Sequence, residues 1–189
     1  MISRTIVPIV QQDDIYPGAG SQFGLGDTTQ SLFFSPKALT ARGWTWGVGP
    51  AFLIPTATEK LLGTEKWGAG PTAVALRQTA TGWTYGLLFN HIWSFAGDSD
   101  REDVDATYVQ PFLAKGLGQG RTVNVALEST YNHEVEQWTV PLNIGYSKVT
   151  RMGSQLVSLQ GGIRYYLESP TNGPDWGLRF TLTLLYPKK

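Results

Sequence analysis

The sequence predicts an all-β chain that closes into an antiparallel up-and-down transmembrane β-barrel of about ten strands. Three observations carry that expectation. Large apolar residues recur at every second position over most of the length, charge is scarce, and the polar connections between the apolar runs alternate long and short.

The clearest run is Trp83 to Phe95, W-T-Y-G-L-L-F-N-H-I-W-S-F. Trp83, Tyr85, Leu87, Phe89, His91, Trp93 and Phe95 share one face, and Thr84, Gly86, Leu88, Asn90, Ile92 and Ser94 share the other. A strand tilted by about 40° climbs roughly 2.5 Å per residue, so Trp83 and Trp93 stand about 25 Å apart in height. That is the height of the apolar band on a transmembrane barrel.

Composition agrees. The 189 residues are 41% hydrophobic and 12% aromatic but only 16% charged, against about 25% charged in an ordinary soluble domain. Residues 1–189 read as a single domain. Net charge is zero, which gives nucleic acid no basic surface to bind. The 22 Gly and 11 Pro disfavour long helices, and the lack of Cys excludes disulfides and thiolate metal sites. There is no run of about 18 apolar residues, so a chain of this kind crosses a membrane only as strands with every backbone group paired. No signal peptide precedes Ile2, so a mature or trimmed chain is expected.

In order, strands are expected over about 2–11, 28–37, 44–57, 69–79, 83–95, 105–117, 123–132, 138–147, 156–168 and 176–186. The Gly- and Asp-containing stretch 13–27 reads as a loop. Long or polar connections follow strands one, three, five and nine, and short ones follow two, four, six and eight. Outer-membrane barrels have this asymmetry, with short periplasmic turns and longer external loops. An even strand number puts both termini on one side. The aromatic spacing recurs in Trp138 with Tyr146 and Trp176 with Tyr186. Trp93, Tyr131, Trp138 and Trp176 are therefore expected as lipid-interface anchors at the outer edge, with Trp83, Tyr146 and Tyr186 at the inner one. The competing fold is a soluble lipocalin-like binding barrel, but the polar face here is Gly, Ser, Thr and Asn rather than the charge a soluble surface needs.

Segments such as I-S-R-T-I-V-P-I-V, G-L-G-D-T-T-Q-S-L-F-F-S-P-K, G-W-T-W-G-V-G-P-A-F-L-I-P-T-A-T, N-H-I-W-S-F-A-G and W-G-L-R-F-T-L-T-L-L-Y-P-K resemble the bacterial outer-membrane proteins grouped as the neuromedin U or transporter family. That group name implies no peptide hormone. The chain is also similar to the barrel family associated with the meta-cleavage pathway of phenol degradation. The resemblance implies an outer-membrane barrel and a passive channel for small molecules, and it supplies no catalytic residues. Members of the family carry further strand-forming sequence before the I-S-R-T motif, which implies twelve strands if the natural chain is longer at its N-terminus.

Charged residues on the polar face are the candidates for function: Glu128, Arg164, Glu168 and Arg179, with Arg77 as a further one. Counted from their turns, Glu128, Arg164 and Arg179 reach similar mid-barrel heights. A charge in a narrow low-dielectric lumen needs a partner, so an ion-pair network is expected there. It reads either as a constriction that selects solutes or as a plug that fills a structural barrel without transport. Enzyme activity is not expected. His91 shares its face with Trp83 and Trp93, His133 lies in a loop, and no serine has a G-x-S-x-G context. The acidic loop Asp98, Asp100, Glu102, Asp103 and Asp105 lacks calcium-loop spacing, so no metal or other cofactor is expected. Expected partners are membrane lipid or detergent and small-molecule solutes.

Overall fold

Thirteen strands are present in the computed structural model, which describes residues 1–13, 18–171 and 173–185. They are β1 (Ile2–Ile6), β2 (Ile9–Asp13), β3 (Ser21–Leu25), β4 (Thr28–Phe33), β5 (Trp44–Ile54), β6 (Lys66–Gln78), β7 (Trp83–Gly97), β8 (Asp105–Gly118), β9 (Arg121–Leu127), β10 (Ser129–Asn132), β11 (Gln137–Met152), β12 (Gln155–Glu168) and β13 (Trp176–Leu185). Eleven form one antiparallel sheet in the order β1-β4-β5-β6-β7-β8-β10-β11-β12-β13, with β9 also between β8 and β11. Strands β2 and β3 form a separate hairpin. Among the described residues no ladder joins the edge strands β1 and β13.

Strands β9 and β10 occupy one position, so the wall has the ten positions read from the sequence. Their register is continuous: Leu127 pairs with Leu142 and Thr130 with Thr139 on β11. The break falls at Glu128, whose N–H donates to Pro141 O at 3.0 Å. Pro141 has no N–H to return, so one rung of the ladder is missing.

Several boundaries differ from expectation, and proline accounts for two of them. The first strand stops at Ile6 because Pro8 cannot donate to a ladder; its carbonyl instead accepts from Gly26 N–H at 3.0 Å. The chain then leaves the wall to form β2, which pairs with β3 inside the stretch read as loop. The second strand ends at Phe33 rather than 37, with Pro36 in a connection longer than the short turn expected. The polar stretch before the fourth strand is shorter, since β6 begins at Lys66.

Burial is inverted relative to a soluble domain. Thr72, Ser31, Asn90 and Asn143 are buried, while Trp46, Leu87, Trp93, Ile144, Ile163 and Leu182 are exposed along the sheet. The strands turn their apolar face outward and their small polar face inward, as in a wall solvated by lipid. Tight turns close the short connections: in 79–82 Gly82 adopts φ 82° and donates to Thr79 O at 3.0 Å, and Gly153 adopts φ 62° between β11 and β12.

Candidate functional site

The inward face encloses a cavity of about 730 Å³ lined from both edges of the sheet, by Arg4 and Ile6 of β1 and by Leu178 and Arg179 of β13. Asn90 and Tyr108 line it from β7 and β8. The charged residues among its lining are Arg4, Arg164 and Arg179 against Glu128, so three guanidiniums face one carboxylate.

Four of these inward residues interlock. Glu128 lies at the β9–β10 break, Asn143 on β11, Arg164 on β12 and Arg179 on β13. Register across β11 puts Arg164 directly opposite Asn143, which lies between it and Glu128 two strand positions away. The Arg164 guanidinium donates through Nη2 to Glu128 Oε2 and through Nε to Asn143 Oδ1 at 2.8 Å. Arg179 Nη1 donates to Glu128 Oε1 and reaches Asn143 Oδ1 at 3.5 Å. Gln110 Nε2 donates to Glu128 Oε1 at 3.5 Å, and Gln110 Oε1 accepts from the Tyr108 hydroxyl at 3.0 Å. The Glu128 side chain is 12% exposed, and those of Arg164 and Arg179 are 29% and 39% exposed. The carboxylate is thus shared by two cations that keep contact with the aqueous cavity, which limits the desolvation cost of the pairs.

Glu168 is not part of this network. It shares the parity of Arg164 but lies four residues further along β12, about 13 Å at strand rise. It sits exposed at the strand end, where its contact is Gln137 Nε2 at 3.5 Å. Asn143 and Gln110 belong to the network and were not read from the sequence. Both are inward-facing amides on strands that flank Glu128, and that position is the signal that could have found them.

On the outer face Trp83, Trp93, Trp138, Tyr146 and Trp176 are all exposed. Tyr131 packs against Trp138 with centroids 4.9 Å apart, one rung of the β10–β11 ladder. Trp83 borders the short turn 79–82, and Lys115 Nζ lies 4.9 Å from its ring. Tyr186 lies outside the described residues.

The loop after β7 is tied down by charge. Lys66 Nζ is 2.9 Å from Asp103 Oδ1, and the Ser94 hydroxyl donates to the same oxygen at 3.0 Å. These contacts hold the Asp103 carboxyl below the usual carboxylate range, the Lys66 hydrogen bond most and Ser94 next. Arg101 donates to the carbonyls of Gly63 and Lys60 and lies 3.5 Å from Glu65 Oε2.

An antiparallel wall of ten strand positions, apolar outside and polar within, has the build of an up-and-down transmembrane β-barrel wall. Among solved structures the chain is similar to the crystal structure of the COG4313 outer membrane channel from Pseudomonas putida F1. The TM-score is 0.68, with 17% identity over 94% of this chain and 73% of that one. No protein-family profile matches the sequence, and no curated protein matches it either.

Proposed function

We propose that the chain is a narrow passive pore of the bacterial outer membrane for small solutes, with Glu128, Arg164 and Arg179 as its constriction. The observation that carries this reading is the charged network placed inside a cavity whose wall is apolar on its outer side. The likeness to an outer membrane channel supports it, as does the resemblance of the sequence to the neuromedin U and phenol meta-pathway groups. Lipid or detergent covers the exposed face, with Trp93, Tyr131, Trp138 and Trp176 at its outer edge and Trp83 and Tyr146 at its inner edge. Three guanidiniums around one carboxylate favour anionic and neutral solutes over cations.

A second reading has its own observation. Four side chains in mutual contact fill the middle of a small barrel, which suits a plug in a structural protein without transport. Planar-bilayer recording separates the two. The pore reading expects small current steps from the folded chain, and a reversal potential that moves toward cation preference in the R164A/R179A double variant. A folded protein that gives no current steps sinks it. A chain that stays folded and monomeric in water without detergent sinks the membrane assignment altogether.

A further inference from the structure

One side-chain cluster takes no part in the constriction. His91 on β7, Asp105 at the start of β8 and His133 just beyond β10 meet on the outer face of the wall. The register brings them there: His91 pairs with Thr107, Trp93 with Asp105, and Thr107 with Tyr131. The His133 N–H then donates to Asp105 O at 2.8 Å, which folds the start of the loop back over the strand pair. The His91 ring lies 4.1 Å from Trp93 and 5.4 Å from His133, centroid to centroid.

The hydrogen bonding of the cluster is incomplete in an informative way. Thr107 Oγ1 is 2.7 Å from His91 Nδ1 and 2.8 Å from His133 Nε2, so a single hydroxyl engages one nitrogen of each ring. Each ring keeps one further nitrogen, and that of His91, Nε2, is turned toward Asp105. His91 Nε2 lies 3.1 Å from Asp105 Oδ1, yet both atoms are buried and neither has a hydrogen-bond partner. Two such atoms left without a hydrogen bond are costly unless His91 is protonated or a metal cation lies between them. At bond lengths of about 2.1 Å, a 3.1 Å separation corresponds to an angle of about 95° at a shared metal ion. The ligand atoms offered by His91, Asp105 and His133 all lie within 4.8 Å of one another. Tetrahedral Zn²⁺ requires about 3.3 Å between ligands. Closing that gap takes a movement on the order of 1 Å by His133, which is exposed in a turn.

We propose that His91, Asp105 and His133 form a binding site for a divalent transition-metal ion of the Zn²⁺ class on the outward face of the wall. Two imidazoles and one carboxylate select Zn²⁺, Ni²⁺ or Cu²⁺ over Mg²⁺ and Ca²⁺, which take oxygen ligands. Thr107 is the positioning residue. Its hydroxyl fixes which nitrogen each ring presents, and its engagement by both rings keeps it from acting as a nucleophile.

The test uses the full chain folded in detergent, titrated calorimetrically with Zn²⁺ and separately with Mg²⁺. One saturable Zn²⁺ site per chain is expected, weakened at least 10-fold in both H133A and D105N, with no Mg²⁺ response. His133 is exposed, so H133A keeps the fold, which far-UV circular dichroism confirms. Cu²⁺ quenching of tryptophan fluorescence gives a second readout, expected to fall in W93F because Trp93 is the ring in contact with His91. The proposal is overturned if the folded chain shows no saturable Zn²⁺ binding, or if H133A and D105N both bind Zn²⁺ as the unaltered chain does.

Discussion

Arg164 holds Glu128 from two strand positions away, and Asn143 on the intervening strand accepts from the same guanidinium. One side chain therefore spans β12, β11 and the β9–β10 break. Its fork geometry fixes all three strands relative to one another, which an ammonium on a flexible stem would not do.

Removing the shared carboxylate leaves two adjacent guanidiniums without a counter-charge. The E128Q variant is expected to lose about 2–3 kcal/mol of stability, below the figure for a fully buried pair because water reaches both arginines. Urea unfolding of the detergent-folded chain measures it. An unchanged midpoint would mean that the network contributes nothing to the fold.

Backbone approach inside the wall gives a second expectation. A Cβ on Gly49 would lie 1.9 Å from the Leu32 carbonyl oxygen, whereas one on Gly177 would meet nothing within 4 Å. G49A must push β4 away from β5, and a loss of about 3 kcal/mol or more is expected. G177A should stay within about 0.5 kcal/mol of the parent. Comparable losses in both variants would contradict this packing.

The loop after β7 responds to acid. The Asp103 carboxyl is held below its ordinary value by Lys66 and Ser94, so the contribution of this contact is full above the ordinary carboxylate range. It disappears as pH falls through the lowered value, when the carboxyl protonates and releases Lys66. The protection factor for hydrogen exchange over 98–104 should fall at acid pH in the parent. In D103N it should be low at every pH, and a pH-dependent protection factor in that variant would place the switch elsewhere.

The strand pattern was legible because lipid-facing and cavity-facing residues must alternate, and Trp83 to Phe95 states that alternation directly. Glu128, Arg164 and Arg179 could be brought to one height by counting from their turns, since strand rise is nearly constant. Glu168 shows where parity alone misleads: a register shift at Val140/Pro141 sets it opposite Val140 at the strand end, four residues beyond Arg164. The departure of the chain at Pro8 into the β2–β3 hairpin was not read, although a proline without an N–H signals the end of a ladder. The meeting of His91 with His133 had no periodic signal at all. It depends on a loop whose path is set by the His133 N–H reaching Asp105 O, a single tertiary hydrogen bond.

The missing rung between Pro141 and Glu128 has a mechanical consequence. On the other flank the β8 ladder also breaks, between the Phe112–Ala126 and Val109–Ser129 pairs, and Pro111, which has no N–H, falls in that gap. Sheet stiffness comes from its rungs, and here the wall lacks them behind the residue that gathers both arginines. Thermal breathing should concentrate at this belt, so the width of the cavity at Glu128 is set by compliance of the backbone as much as by the side chains that fill it.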